Sequence, residues 1–265
     1  MVDGMDDDSL LIAGIEDKIE QAINKNIITY SGFLDIRQRS AAEAACRKHK
    51  ELEIFFYGGY SEAERTIAVF LPDYTAVADM TGLFRYFSRN PDENPVAVLS
   101  IGKDNFSILN HRDYLGSVMG LGVKREMIGD ILVRDDGCDI ILLKTIVKFL
   151  ADNLQKAGRA TLSAAIKSVD EIIVPDQKTQ ETLCPVASLR LDNIVSAAFG
   201  LSRSLAAEAV KKGIVSVNGL QTQKPDAKLS QGDKIVLRGK GKAILKELAG
   251  ETKKGRIKAV FQKFL

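Results

Sequence analysis

The sequence predicts an α+β protein built from several domains, and three observations carry that expectation. A chain of 265 residues with 45% hydrophobic content is long enough for two or three packed cores. Residues 95–174 alternate β-branched runs with amphipathic stretches in the order βαββαβ. Residues 188–240 then hold two short helical patterns and a hairpin, with cationic side chains at helix ends and turns. The expected divisions are 1–75, 76–180 and 183–258.

The first division reads as an α/β domain, with helices at 10–24 and 40–49 and strands at 54–57 and 66–70. Between the strands, Gly58-Gly59-Tyr60 and the acidic stretch to Arg65 read as a β-to-helix connection rather than a catalytic loop. His49 lies on a basic helix face without a visible acid partner, and His111 is equally isolated. Two His and three scattered Cys give too little material for a nucleophilic triad or a metal site. Cys46, Cys138 and Cys184 form no Cys-x-x-Cys pair, so the expectation is reduced thiols, cytoplasmic, with no zinc and no disulfide. The apolar stretch 140–151 is interrupted by Lys144 and Lys148, and the chain opens on Asp3 and Asp6 to Asp8, so neither membrane insertion nor export is expected.

In the second division the predicted strands are 96–101, 128–134, 138–143 and 161–168, with helices at 112–119 and 145–156 and a turn at Asp135-Asp136-Gly137. This is the split-βαβ, ferredoxin-like order shared by RNA-recognition domains and many unrelated proteins. Its strands carry Val, Ile and Leu where a base-stacking sheet presents Phe or Tyr, which favours a scaffold or a reader of shape over a reader of single strands. His111-Arg112-Asp113 mimics a kinase catalytic loop, but Val118 stands where the metal-binding Asn is needed. Gly116, Gly120 and Gly122 miss the nucleotide-loop spacings. The 120–125 segment is expected to be a turn that exposes Lys124 and Arg125, which with Arg112 form a secondary RNA contact.

In the third division Leu189, Leu191, Ile194, Val195, Ala198 and Phe199 mark one apolar helix face, ended by Gly200. Ser202 is placed as the N-cap of a second helix with Leu205, Ala206, Ala209 and Val210 inward, stopped by Gly213. A strand at 214–217 leads into Asn218-Gly219, the two positive-φ residues of a type I′ hairpin. Lys224-Pro225-Asp226 forms a further turn, and a strand at 235–237 follows Gly232-Asp233. Arg190, Arg203, Lys211, Lys212, Lys224, Arg238, Lys240 and Lys242 project from this frame. Several guanidinium forks on a rigid support suit phosphate oxygens. From residue 185 onward there are 16 Lys and Arg against 6 Asp and Glu, a net of +10, while the preceding 184 residues hold 21 against 29, a net of −8. A near-neutral chain therefore has a strongly basic end, as expected where one part meets nucleic acid.

The order Arg-Leu-Asp at 190–192, Ser202-Arg203, Asn218-Gly219, Lys224-Pro225 and Gly232-Asp233 resembles the S-four (αL-type) RNA-binding domain. The resemblance implies binding of structured rRNA or tRNA through Arg190, Asp192, Ser202, Arg203, Lys211, Asn218 and Lys224. Asp192 could instead orient Arg190, and the turn alone explains Asn218. Phe33-Leu34-Asp35, Gly-Gly-Tyr, Ala63-Glu64-Arg65, Asn-His-Arg-Asp-Tyr-Leu-Gly at 110–116, Met-Gly-Leu-Gly-Val-Lys-Arg at 119–125 and Ile-Gly-Asp-Ile-Leu at 128–132 extend the resemblance to the YlmH family. Membership implies a cytoplasmic, monomeric, non-enzymatic RNA-binding protein without cofactors. Its implied partners are the rRNA of the large ribosomal subunit, peptidyl-tRNA and a quality-control elongation factor. The implied role is to steady P-site peptidyl-tRNA while an alanine tail is added to a stalled chain.

Two alternatives stay open: a cell-division or photosystem-assembly protein with secondary RNA binding, and an RNA-modifying enzyme. Reversal of Arg190 and Arg203 to Glu is expected to abolish ribosome association and leave the fold intact. Truncation after Thr182 is expected to leave a soluble acidic fragment with little RNA affinity.

Overall fold

A computed structural model describes residues 7–104, 107–175 and 179–264. Two compact units divide the chain between Pro175 and Asp176.

The first unit begins with α1 (Asp7–Lys25), which turns Ile15, Ile19 and Ala22 inward at helical spacing. They share a core with Ala42 and Cys46 of α2 and with Phe70. A short strand β1 (Thr29–Tyr30) comes between, and α2 itself runs Ile36–Cys46 rather than 40–49. Its start is fixed by a capping box: Gln38 N–H donates to Asp35 Oδ1 (2.8 Å) and Asp35 N–H donates to Gln38 Oε1 (2.9 Å). β2 (Glu53–Tyr57) and β3 (Ile67–Leu71) are antiparallel, so residues 58–65 join two strands and the expected β-to-helix connection is corrected. β3 is buried along its whole length at the centre of the sheet β1-β3-β2. Sequence reading did not place α3 (Met80–Arg89), although Asp79 caps it by accepting from Gly82 N–H (2.6 Å) and Leu83 and Phe87 fill its buried face.

His49, expected to lack a partner, has two: Nε2 lies 2.8 Å from Glu16 of α1 and Nδ1 lies 3.0 Å from Glu51. The hydrogen bonds and negative charge of Glu51 and Glu16 outweigh burial and raise the imidazole above its usual 6.5. A raised folded pKa stabilises while the ring is charged, fully below 6.5, and the contribution is lost as pH rises through the folded value. Urea unfolding at a series of pH values should therefore show stability falling as pH rises from below 6.5 through the raised folded value, and a His49→Gln variant should lack that fall.

The unit continues with β4 (Val96–Lys103), α4 (His111–Gly120), β5 (Ile128–Arg134), β6 (Gly137–Leu143), α5 (Lys144–Asn153), β7 (Lys156–Ala157) and β8 (Ala160–Lys167). These strands form an antiparallel sheet in the order β5-β6-β4-β8-β7. Leu99, Ile101, Ile140 and Leu142 face a core with Tyr114 and Val118 of α4 and Val147 and Leu150 of α5. The opposite residues Val96, Ile141 and Leu143 join Tyr57, Ile67, Val69, Leu83 and Phe87 in a second core. Every residue of β6 is accordingly buried. At this end of the sheet, the face that single-stranded RNA would need is covered by protein. Gly137 permits the closest crossing, since a Cβ there would stand 1.8 Å from Ile101 O.

In the second unit β9 (Thr179–Val186) precedes α6 (Leu191–Phe199) and α7 (Arg203–Lys211). β10 (Val215–Val217), β11 (Leu220–Gln221), β12 (Lys234–Leu237), β13 (Gly241–Glu251) and β14 (Ile257–Phe264) then build the sheet β11-β10-β12-β13-β14-β9. Ile194, Val195, Ala198, Ala206 and Val210 pack on Ile235, Leu245 and Phe261. This unit extends past the expected 183–258 at both ends, because 179–186 pairs in full with 257–264. A cut after Thr182 would divide that strand, so a truncation test belongs at Pro175.

Candidate nucleic-acid interface

The start of α6 is built around one buried carboxylate. Asp192, only 5% exposed, accepts from Arg190 Nε and Nη2 at 3.1 Å each, from Arg203 Nη2 at 3.4 Å and from Asn193 N–H at 2.9 Å. Burial alone would raise the Asp192 carboxyl. The hydrogen bonds from Arg190, Arg203 and the Asn193 amide overcome it and hold the group below the usual carboxylate value. Arg190 and Arg203 nevertheless remain 43% and 62% exposed at their side chains, so each keeps donors turned to solvent. The carboxylate therefore fixes the direction of two guanidinium forks without covering them, the pre-organisation a phosphate site needs. Asp192 thus orients the two arginines, which occupy both of its carboxylate oxygens.

The 224–228 turn belongs to the same group. Asp192 N–H donates to Pro225 O (2.9 Å), Leu191 N–H donates to Ala227 O (2.8 Å), and Arg190 bridges to Lys228 through the backbone. Exposed Lys224 and Lys228 are thereby carried beside Arg190. Lys228 was not among the predicted cations, although the Lys-Pro-Asp-x-Lys run points to it.

A second group forms at the other end of α7, eight residues and about 12 Å of helix from Arg203. Lys211 and Lys212 end the helix, and Arg238 N–H donates to Ile214 O (3.0 Å), placing the β12–β13 turn with Arg238 and Lys240 beside them. All four are exposed. Glu208 pairs with Lys212 at 2.6 Å and reduces its field, and Lys242 lies over the Phe264 ring at 4.1 Å from its centroid. The predicted basic surface is thus two groups of cations at the two ends of α7.

Two other predicted contacts are parts of the frame. Asn218 has φ 49° and ties the hairpin to β12: its Nδ2 donates to Asp233 Oδ1 (2.8 Å) and its Oδ1 accepts from Lys234 N–H (2.9 Å). Ser202 caps α7 by accepting from Leu205 N–H at 3.3 Å, and it is exposed. Replacing Asn218 by Val should lower stability by about 1–2 kcal/mol, from the αL strain and the two lost bonds, in a urea unfolding curve.

In the first unit Arg112 and Lys124 are exposed as expected, Lys124 at 3.9 Å from Glu126. Arg125 is not the freely exposed cation predicted. It is half-buried, and its Nη1 donates to Ile128 O (2.6 Å) and Gly129 O (3.2 Å). A cleft of about 780 Å³ lies in this unit, lined among others by Leu10, Leu11, Tyr30, Met127, Ile146 and Phe149, with Lys18, Lys124 and Glu126 as its charged residues. Glu126 is its single acid and is the partner of Lys124. Among the described residues no three His, Cys, Asp or Glu stand together as a metal site, and no helix is long and apolar enough to cross a membrane.

Residues 93–171 match the family model described as "Putative RNA-binding domain in YlmH", and residues 189–235 match the S4 domain model. The chain is 28% identical over 234 residues to the ribosome-associated protein quality control protein P2 of Bacillus subtilis, covering 87% of this chain and 85% of that protein. The solved structure titled cell division protein ylmH, from Streptococcus pneumoniae, aligns with 65% of this chain and 99% of its own at 20% identity and a TM-score of 0.48.

Proposed function

Because this chain belongs to the YlmH family and joins that family's RNA-binding domain to an S4 domain, we propose that it is a non-catalytic RNA-binding factor of ribosome-associated quality control. In this reading it binds large-subunit rRNA and steadies peptidyl-tRNA in the P site, in the cytoplasm, while an elongation factor supports alanine addition to the stalled chain. The observation that carries the reading is the Asp192 clamp: a buried acid aims two arginines outward beside Lys224 and Lys228. Such a surface recognises backbone shape and charge and needs no reacting group. The name of the Bacillus subtilis relative supports the choice of pathway.

The test is fractionation of cell extracts in which translation has been stalled. The protein should co-sediment with free large subunits carrying peptidyl-tRNA, and its absence from them under stalling would refute the pathway. Nucleoside analysis of tRNA and rRNA after incubation with the protein should show no new modified nucleoside; one would turn the reading to an enzyme. With roughly four phosphates neutralised, log affinity should fall with log salt at a slope of about −3 to −4. Anisotropy titrations with a tRNA transcript at several potassium chloride concentrations measure that slope.

A further inference from the structure

The sequence motifs around 60–65, 111 and 125–130 are not explained by the C-terminal face, and in the fold they meet. Asp130 of β5 accepts from Tyr60 Oη (2.8 Å), Glu64 N–H (2.7 Å) and Arg65 N–H (3.1 Å). Its oxygens thereby clamp the β2–β3 connection to the second sheet. Arg65 reaches across the same seam: Nε donates to Ile128 O (3.0 Å) and Nη2 donates to Phe33 O (2.8 Å). Arg125 Nη1 donates to the same Ile128 carbonyl at 2.6 Å. Two guanidiniums thus converge on one carbonyl, both half-buried, and neither has a carboxylate oxygen within 4 Å among the described ion pairs.

A structural cap on Ile128 O needs one donor. The second brings like charge into a part-buried place, where it costs more than at the surface. Burial, followed by the charge of Arg65, pushes Arg125 down to about 10 against the opposing charges of Asp130 and Asp35, and burial lowers Arg65 against the same two acids. The Nε and Nη2 edge of Arg125 and the Nη1 of Arg65 donate to no protein oxygen in the described hydrogen bonds. His111, which opens α4, has its imidazole lowered by the partial desolvation of its ring and then by the Arg125 charge. An anion between the two forks would relieve the repulsion and take up these donors.

We propose that Arg65 and Arg125 form a binding site for a backbone phosphate of RNA, a second foothold in the first unit built partly from outside the matched RNA-binding domain. It rests on the RNA-binding reading above and deepens it: the β2–β3 connection becomes part of the RNA-binding surface, with Arg65 supplied from residues that the family model does not cover.

The test follows the arginine Nε–H resonances of the full-length ¹⁵N-labelled protein on adding an RNA hairpin and, separately, inorganic phosphate. Arg65 and Arg125 should shift at RNA concentrations where inorganic phosphate has no effect. Shifts with phosphate alone would overturn the RNA assignment, and no shift with either would overturn the site. In parallel, Arg125→Gln should weaken binding of a tRNA transcript about three- to tenfold and make the salt slope shallower by about 0.9. Arg125→Lys should retain the slope and lose part of the affinity. Unchanged affinity and slope in Arg125→Gln overturn the proposal; should that variant unfold, the resonance titration of the native protein decides. Loss of binding on removing the C-terminal cations while Arg125→Gln binds normally refutes this site alone. Normal binding by the C-terminal variant refutes instead the role of that face.

Discussion

Replacing Lys211, Lys224, Arg238 and Lys240 together by Ala should lower affinity for tRNA and for large subunits on the order of a hundred- to a thousandfold near physiological salt. The salt slope should flatten toward that of an uncharged surface. All four side chains are exposed, and none is in an ion pair or side-chain hydrogen bond among the described residues. The fold therefore loses nothing by their removal, whereas each phosphate contact contributes roughly 1 kcal/mol and about −0.9 to the slope. Lys224 comes from one group of cations and Lys211, Arg238 and Lys240 from the other, so affinity should fall further than with the changes in either group alone if RNA spans the two ends of α7. A thermal melt should be unchanged within a degree or two on the expectation for surface substitutions. Unaltered affinity and slope with an unaltered melt would show that RNA binds elsewhere, and the quality-control reading would lose its physical basis.

Much of the C-terminal unit was legible because its signals are local. Gly200 at φ 64° and Gly213 at φ 67° stop their helices, Ser202 caps α7, and Asn218-Gly219 turns the hairpin, all within a few residues of the structures they determine. The strands that escaped reading depend on distant partners. β9 runs Thr-Gln-Glu-Thr-Leu-Cys-Pro-Val with Pro185 at an edge and is a strand because β14, more than seventy residues later, pairs with it. The 241–264 hairpin has bulges between Leu245 and Glu247 and between Leu248 and Glu251, which break its alternation. At the N-terminus the Asp35-x-x-Gln38 capping box was written in the sequence and would have moved α2 to its true start.

The site was legible in composition and less so in role. Charge type and motif order located Arg190, Arg203 and Lys224, but exposure separates cations that meet solvent from those that hold the frame. Arg125 reads as a twin of Lys124 in sequence, yet one is half-buried against carbonyls and the other is exposed. His49 and its acids lie 33 residues apart at the longer link, beyond any local pattern. The sheet of the middle domain lacks stacking aromatics, which the sequence showed. That its other face carries a second core required the fold, because Ile141 and Leu143 meet Tyr57 and Phe87 only in three dimensions.

Charge reversal at Arg190 should destabilise the C-terminal unit rather than merely silence it, contrary to the expectation from sequence that both Arg190 and Arg203 can be inverted with the fold intact. A Glu at 190 would bring a second carboxylate beside Asp192, which is 5% exposed and receives two hydrogen bonds from Arg190. Like charges at a buried position cannot both ionise without penalty, and the start of α6 also anchors the 224–228 turn through Pro225 and Ala227. A melting temperature lower by on the order of 10 °C is expected for Arg190→Glu, against little change for Lys224→Glu. Asp192 supplies the pH signature that separates this from a simple loss of charge. Its folded pKa is depressed below 3.8, so its contribution is present above that value and is lost as pH falls through the lower folded value. The native C-terminal unit should therefore lose stability as pH falls below about 4, and an Asp192→Asn variant should be weaker at neutral pH with less further loss in acid. Equal melting temperatures for Arg190→Glu and the native protein would remove Asp192 as the organising group of the face and return Arg190 to the class of simple surface cations.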